Sequence, residues 1–236
     1  MRDEGVPVLA IAGPGEFLAD RYAPPKKPYD AKLLASVQSA AINATDWDCV
    51  YVSAKASAWL QENGAPLPDK GTLVTSDPRT EIFSVAGKNI AVIFLPPGSE
   101  PNGMPSEDQI NDALDTGRDA RSRSDLVIAV SPWGMHAELN HAARFEGVFH
   151  MLLGGGPGMG IAPQVIHAAP AVLWGRAESL GRALMLVEVM AWPDPAMPTA
   201  WMESVNFSWR ELTLGLAIDE DPAVSSIIAA VPHDAE

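Results

Sequence analysis

The sequence predicts an α/β fold in which mixed sheets are flanked by helices in a layered sandwich. Buried-type strands alternate with segments of helical periodicity, which is the pattern of layered α/β domains. The strands are continuous runs rich in Val and Ile, as in sheets covered on both faces. The clearest unit is a strand–helix–strand segment in which SDLVIAVSPWG (124–134) and MLLGGGPGMG (151–160) each carry a strand into a Gly/Pro loop. Residues 135–145 between them have helical character.

Boundaries for the other elements follow in chain order. Asp30 is a suitable N-cap for the first helix, and Ser106 with Gln109 matches a capping box at the third. Gly64 is a natural stop for the second helix. The predicted strands are residues 6–12, 47–52, 73–75, 81–85, 90–95, 126–130, 148–153, 171–174 and 182–190, with 6–12, 50–52, 90–95, 126–130 and 149–153 in the core. The predicted helices are residues 30–43, 54–63, 106–123 and 135–145, and 171–174 is expected to pair with 182–190.

Length and composition indicate one globular domain. A chain of 236 residues with 47% hydrophobic and 19% charged residues can form a full core. Neither Pro-rich stretch, at residues 96–105 or 192–198, separates regions of different composition. We therefore expect a single domain over residues 1–236, with 192–236 as a Pro/Trp-rich C-terminal extension.

The charge balance excludes some classes of function. A formal net charge of −14 argues against a nucleic-acid-binding surface and against adhesion to anionic lipid. No apolar run approaches the ~20 residues of a membrane helix, and the acidic first five residues show no signal peptide. Cys49 is alone, so it cannot form an internal disulfide, and its place in a strand predicts a buried apolar role.

The glycine-rich loop at residues 154–160 matches neither common phosphate-binding pattern. G-x-G-x-x-G fails at Met159, and the Lys-Ser/Thr pair of the Walker pattern does not follow Gly160. Pro157 also removes an amide donor. The pattern favours a structural turn, with anion binding as the alternative.

The 124–160 unit resembles the calcineurin-like metallophosphoesterases of the 5'-nucleotidase and UDP-sugar hydrolase branch. There the unit reads D-L-V-I-A-L-S-H-x-G, then a helix, then D-x-I-(I/L)-G-G-H-T-H. Residues 40–50 are similar to the A-x-N-x-x-G-Y-D-A-V step of that family, 83–94 to its V-x-x-x-G-x-K-I-G-V-I-G hairpin, and 171–186 to its closing strand pair. The resemblance spans residues 6–189 and implies a sandwich of the metallophosphoesterase type.

The same resemblance implies that the metal ligands of the family are substituted. Pro132 stands at the His of S-H-x-G, and residues 155–159 replace G-G-H-T-H. Ala54 and Lys55 replace the Asn and His of the G-N-H loop, and Gly13 or Pro14 stands at the bridging Asp. We expect a vestigial cleft that holds no metal, no cofactor and no catalytic residue. Its expected residues are Gly13, Glu16, Ala54, Lys55, Pro132, Trp133, Gly156 and Pro157.

The sequence allows two interpretations for individual side chains of this cleft. Lys55 is either a solvated helix residue or the occupant of a former cation site. Trp59 and Trp133 either pack in the core or plug the cleft, and packing is favoured. The five histidines are not at the strand-end loops that the family uses, and His136 and His141 are five residues apart, which on a helix points them to different faces. The histidines are at positions 136, 141, 150, 167 and 233.

Substitution of every matched metal motif favours a non-catalytic domain that works as a binding or assembly subunit, with a protein partner or as a homo-oligomer. The candidate contact residues, for which burial in the core is the alternative, are Trp192, Met197, Trp201, Met202 and Trp209. A second hypothesis is a divergent metal-dependent phosphoesterase that uses Glu16, Asp46, Asp48, His136 and Glu138. A third is a small-molecule or nucleotide binder without turnover. The resemblance also implies a periplasmic or otherwise exported protein, and the sequence leaves a cytoplasmic location open.

Overall fold

Strands and helices alternate through most of the chain. The computed structural model describes residues 5–17, 20, 30–100, 103–166, 170–177, 183–214 and 219–230. The strands of this part are β1 (Ile11–Ala12), β2 (Cys49–Ser53), β3 (Gly71–Val74), β4 (Arg79–Val85), β5 (Lys88–Phe94), β6 (Leu126–Ser131), β7 (Met151–Gly154), β8 (Ile161–Ile166), β9 (Val172–Arg176), β10 (Ala183–Val189) and β11 (Phe207–Thr213). The helices are α1 (Ala31–Ala44), α2 (Ala54–Glu62), α3 (Glu107–Arg121), α4 (Met135–His141), with a 3-10 turn at Ala142–Phe145, and α5 (Pro222–Ala229).

The strands form three sheets. The largest has six strands in the order β4-β5-β6-β7-β9-β8, and the others are β1-β2-β3 and the β10-β11 hairpin. In the six-stranded sheet β5, β6, β7 and β9 run parallel, while β4 and β8 pair antiparallel at its two edges. Ile128 of β6 lies opposite Val92 of β5 and Met151 of β7. Because the central strands are parallel, their carboxyl ends meet at one edge.

Alternation along β2 explains how the two larger sheets stack. Val50 and Val52 point to one face and pack with Leu60 of α2. Tyr51 points to the other face, where its ring meets Phe94 of β5 edge-on at 5.9 Å and its hydroxyl donates to the Leu95 carbonyl oxygen at 3.1 Å. The three-stranded sheet therefore lies between α1 and α2 on one side and the six-stranded sheet on the other.

The outer face of the six-stranded sheet is covered by α3 and α4. Ile93 and Val127 pack there with Ile110 of α3 and with Phe145 and Phe149. The order of layers is thus helix, sheet, sheet, helix. This confirms the layered α/β sandwich predicted from the sequence.

Helix starts follow their capping residues. Asp30 Oδ1 accepts a hydrogen bond from the Leu33 backbone N–H at 3.0 Å, and α1 begins at the next residue. Ser106 and Gln109 form both hydrogen bonds of the capping box at α3. These two predicted helix starts are confirmed.

The predicted first strand, residues 6–12, is wrong in extent, because only Ile11–Ala12 form a strand. Pro7 has no N–H to donate to a ladder, and Val6 is 49% exposed. The Ala10 N–H instead donates to the Asp48 carboxylate at 2.7 Å. The first strand is therefore a short edge to the small sheet.

The predicted pairing of residues 171–174 with 182–190 is also wrong. β9 pairs with β7 and β8, and β10 pairs with β11. β11 and α5 lie within residues 192–236, the segment expected to be a Pro/Trp-rich C-terminal extension, and Trp209 is in β11. Arg182, His167 and His233 lie outside the described residues. No helix in the described part of the chain is long and apolar enough to cross a membrane.

Candidate functional site

The carboxyl edge of the six-stranded sheet brings the loops after β6 and β7 together. The Gly155 N–H donates to the Ser131 carbonyl oxygen at 2.7 Å, and the Met135 N–H donates to the Pro157 carbonyl oxygen at 3.1 Å. Both bonds cross between the two loops because β6 and β7 are parallel neighbours. This edge is where ligand sites form in parallel sheets.

Two glycines allow these loops to approach closely. Gly156 has φ +65°, and a Cβ atom on it would collide with the Pro132 carbonyl oxygen. A Cβ atom on Gly155 would collide with the Pro14 ring in the loop after β1. The structure thus places Pro14 against Gly155 and Pro132 against Gly156, so the loops after β1, β6 and β7 meet at this edge.

Trp133 lies in the core and does not line an open cleft. Its side chain is 4% exposed, and its Nε1–H donates to the Pro96 carbonyl oxygen at 2.7 Å. Its ring lies 6.1 Å from that of Phe145 in the layer under α3 and α4. Trp133 thus packs in the core, which is the role that the sequence favours for it, and the indole N–H has its partner inside the protein.

Ala54 and Lys55 begin α2 directly after β2, and both are exposed. The helix is capped by Ser53, whose Oγ accepts from the Ala56 N–H at 2.9 Å. The same hydroxyl donates to Asp20 Oδ1 at 2.5 Å. Lys55 is therefore solvent-exposed at the start of α2. Its positive charge favours the ionised form of the Asp20 carboxylate and so lowers the pKa of that group.

Asp20 is a residue that the sequence interpretation missed. Burial raises its pKa, and the Ser53 hydrogen bond and the Lys55 charge oppose this shift. Its Oδ2 atom is buried without a hydrogen-bond partner among the described residues. Asp20 belongs to no motif, so only the fold brings it to the end of β2.

A buried ion pair lies where the carboxyl ends of β7 and β9 meet α4. Arg176 Nη1 is 2.5 Å from Glu138 Oε2, and the two side chains are 2% and 0% exposed. Trp174 Nε1–H donates to the same carboxylate oxygen at 3.0 Å. Glu138 Oε1 is buried and has no hydrogen-bond partner among the described residues. Each of the two buried charges serves as the counter-ion of the other.

The loop after β7 wraps the Arg176 guanidinium with its carbonyl oxygens. Nη2 donates to Gly155 at 2.6 Å, to Gly156 at 3.1 Å and to Pro157 at 3.2 Å, and Nε donates to Met159 at 3.2 Å. The guanidinium therefore organises the segment that was predicted to be a structural turn. The Arg176 side chain stabilises this turn by donating hydrogen bonds to its backbone carbonyls.

The sequence gives only a weak indication of the Arg176–Glu138 ion pair. Arg176 ends a strand that is buried at every position, and Glu138 lies on the inner side of α4. A charged residue in an apolar run indicates a buried partner. The sequence does not show that these two residues, 38 positions apart, are that pair.

The residues present do not fit the two-metal centre that a metal-dependent phosphoesterase uses. Within the described ranges, no group of three or more His, Cys, Asp or Glu side chains is placed to hold a metal ion. Pro132 and Pro157 have no ligand atom in their side chains. Arg176 places a positive charge among the oxygens of the 155–159 loop, which opposes a second cation there.

The residues of the divergent-enzyme hypothesis are not brought together. Asp46 and Asp48 precede β2 and lie at its amino end, whereas Glu16 follows the carboxyl end of β1. His136 is exposed on α4, and Glu138 is committed to Arg176. Of the other histidines, His150 is buried and accepts from the Val127 N–H through Nδ1 at 2.8 Å. The five-residue set forms no joint site because parallel strands put Asp46 and Asp48 at the opposite edge.

The C-terminal candidate contact residues differ in how deeply they are buried. Trp201 is 5% exposed, and its Nε1–H donates to the His150 carbonyl oxygen at 2.8 Å, so its expected role in a contact is corrected to a core role. Trp192 and Trp209 are half-buried against the same core cluster. Met197 and Met202 are 62% and 52% exposed.

No protein-family model matches the chain, and no curated protein matches its sequence. Several solved structures do match the fold of this chain. The calcineurin-like phosphoesterase YfkN from Bacillus subtilis superposes with a TM-score of 0.54 at 12% identity, over 85% of this chain and 75% of that chain. The sulfate thiohydrolase SoxB from Thermus thermophilus, in complex with glycerol, gives 0.57 at 16% identity, over 83% of this chain and 38% of that one.

A 5'-nucleotidase from Candida albicans gives a TM-score of 0.45 at 10% identity, over 81% of this chain and 43% of that chain. The chain thus spans less than half the length of SoxB and of the nucleotidase. The layer order and the matches to YfkN and SoxB together show that this chain has the fold of the calcineurin-like metallophosphoesterases.

Proposed function

We propose that the protein is a non-catalytic domain with a metallophosphoesterase fold that serves as a binding or assembly subunit. The observation that carries the proposal is the occupation of the carboxyl edge by the chain's own groups. Arg176 and Glu138 fill the corner between β7, β9 and α4, and four carbonyls of the loop after β7 accept hydrogen bonds from the guanidinium. A phosphoesterase of the two-metal type needs this edge open and lined with ligands.

Exposed apolar side chains in the β10–β11 connection support a contact role. Met190, Met197, Met202 and Val205 are between 45% and 62% exposed. The Val205 and Asn206 N–H groups both donate to the Met202 carbonyl oxygen, which holds Met202 in an ordered turn. A contiguous exposed apolar patch is typical of interaction sites, and we propose that these four side chains form one.

The first test is enzymatic. The purified chain is assayed for hydrolysis of a generic phosphomonoester and phosphodiester with added Mn²⁺, Zn²⁺ or Fe²⁺, and its metal content is measured by elemental analysis. We expect no turnover and no stoichiometric metal. Stoichiometric metal together with hydrolysis would establish the divergent-enzyme hypothesis instead.

The second test is assembly. Light scattering and native mass spectrometry are applied to the isolated chain and to its mixtures with the products of neighbouring genes. We expect a complex that is lost in the Met197→Asp/Met202→Asp variant and kept in Ile82→Asp, since Ile82 is 45% exposed on β4 and outside this surface. A chain that stays monomeric in every mixture would contradict the proposal.

A further inference from the structure

The Arg176 guanidinium has the coordination environment of a bound cation. Its three nitrogens contact five oxygen atoms, of which four are backbone carbonyls of residues 155, 156, 157 and 159 and one is from Glu138. Carbonyl and carboxylate oxygens are the ligands that hard cations take in proteins. The contacts of the loop with the guanidinium are all made by its backbone carbonyls.

The guanidinium donates to all four of these carbonyls, and the Pro157 carbonyl also accepts from the Met135 N–H. The Glu138 carboxylate and the Arg176 side chain are buried, whereas Gly156, Pro157 and Met159 lie at the surface, so a carbonyl that loses its guanidinium donor must find another donor or lose a hydrogen bond. Gly155, Gly156 and Pro157 all direct their oxygens at the single Nη2 atom of Arg176. A Cβ atom on Gly154 would collide with Glu138, and it would lie 2.8 Å from Arg176 Nη1, so the backbone also leaves room for this group alone.

We propose that residues 155–159 and Glu138 form a cation-binding site that the chain fills with its own Arg176. The guanidinium is the resident cation, and the loop is folded around it. The proposal is independent of any partner, and it explains why the edge is ordered although the residues do not fit a metal centre. It predicts that a cation from solution can replace the guanidinium when the side chain is shortened.

Cation rescue distinguishes this site from an ordinary buried salt bridge. The Arg176→Ala variant leaves the buried Glu138 carboxylate without its counter-ion and removes a donor from the four loop carbonyls, so we expect the Tm to fall by about 10 °C. Millimolar methylguanidinium or Ca²⁺ should restore at least half of that fall, whereas Na⁺ at the same ionic strength should not. The wild-type Tm should respond neither to these cations nor to a chelator.

Arg144→Ala is the matched control. Arg144 also pairs with a carboxylate, Glu107, at 2.7 Å, but this pair lies at the surface. Its loss should change the Tm little, and added cations should not alter the result. Arg176→Met, which fills the cavity without a charge, should be destabilised and should not be rescued.

Three results would overturn the proposal. They are an Arg176→Met variant as stable as wild type, an Arg176→Ala variant that no added cation stabilises, and equal rescue of Arg144→Ala. Should Arg176→Ala not fold alone, refolding from urea with and without methylguanidinium or Ca²⁺ makes the same distinction. Recovery only with the cation supports the site, and failure under both conditions refutes it.

Discussion

Arg176 Nη1 lies 2.5 Å from Glu138 Oε2, and neither side chain has more than 2% of its surface exposed. The pair joins the end of β9 to α4, and the guanidinium also holds the loop after β7. The Arg176 side chain therefore joins three elements that are separate in sequence. The predictions below test this contact and the surfaces around it.

Glu138→Ala should lower the free energy of unfolding by about 3–5 kcal/mol, because it leaves the Arg176 charge buried without a counter-ion. Urea denaturation followed by tryptophan fluorescence measures the change. Glu107→Ala is the control, since Glu107 pairs with Arg144 but is 72% exposed, and it should cost less than about 1 kcal/mol. Equal losses for the two variants would contradict the importance of the buried pair.

Gly156→Ala should be more destabilising than Gly87→Ala by about 1–3 kcal/mol. Both glycines have positive φ, at +65° and +74°, so the backbone strain is similar. Only at Gly156 does a Cβ atom meet another loop, at the Pro132 carbonyl oxygen, while Gly87 has nothing within 4 Å. Thermal unfolding of the two variants isolates the effect of loop contact, and identical Tm values would contradict the observed packing.

His150 should make the protein less stable as pH falls below about 6.5. Burial, with the Arg121 charge, lowers its pKa from 6.5 to about 3, so between these values the unfolded chain binds a proton that the folded protein does not. The stability that the neutral imidazole contributes is present above pH 6.5 and is lost toward about pH 3.

The His150→Asn variant, which can still accept from the Val127 N–H, should show a shallower pH dependence in this range. Urea midpoints measured from pH 4 to pH 7 test this. Parallel curves for the variant and the wild type would show that another group causes the loss.

Substitutions at Trp201 and Met202 should have different effects, the first on the stability of the fold and the second on assembly. Trp201→Ala should cost about 3–5 kcal/mol, because the indole is 5% exposed and its N–H is bonded to the His150 carbonyl oxygen. Met202→Ala should change stability by no more than about 0.5 kcal/mol, since its side chain is 52% exposed. If Met202→Ala weakens assembly while the Tm stays constant, Met202 is a contact residue, and an unchanged complex would remove it from the proposed surface.

Local patterns were sufficient for most helices and for the central strands. Asp30 and the Ser106–Gln109 box predicted two helix starts, and the Val/Ile runs predicted β5 and β6, because capping and burial periodicity are properties of neighbouring residues. The extent of β1 and the partner of β10 were wrong, since strand pairing depends on residues far apart in the chain. Trp201 shows the same limit, because an apolar residue in a Pro-rich loop does not reveal whether it faces inward.

The sequence by itself determined the layered α/β class and the resemblance to metallophosphoesterases, and it predicted that Pro132 and Lys55 stand in place of metal ligands. These are encoded in runs of ten to twenty residues, where composition and order suffice. Only the tertiary structure decided that Asp20 reaches Ser53 and that Arg176 meets Glu138 inside the 155–159 loop. The physical reason is that a buried charge is stable only beside its partner, and the fold alone brings together groups that are 33 and 38 residues apart.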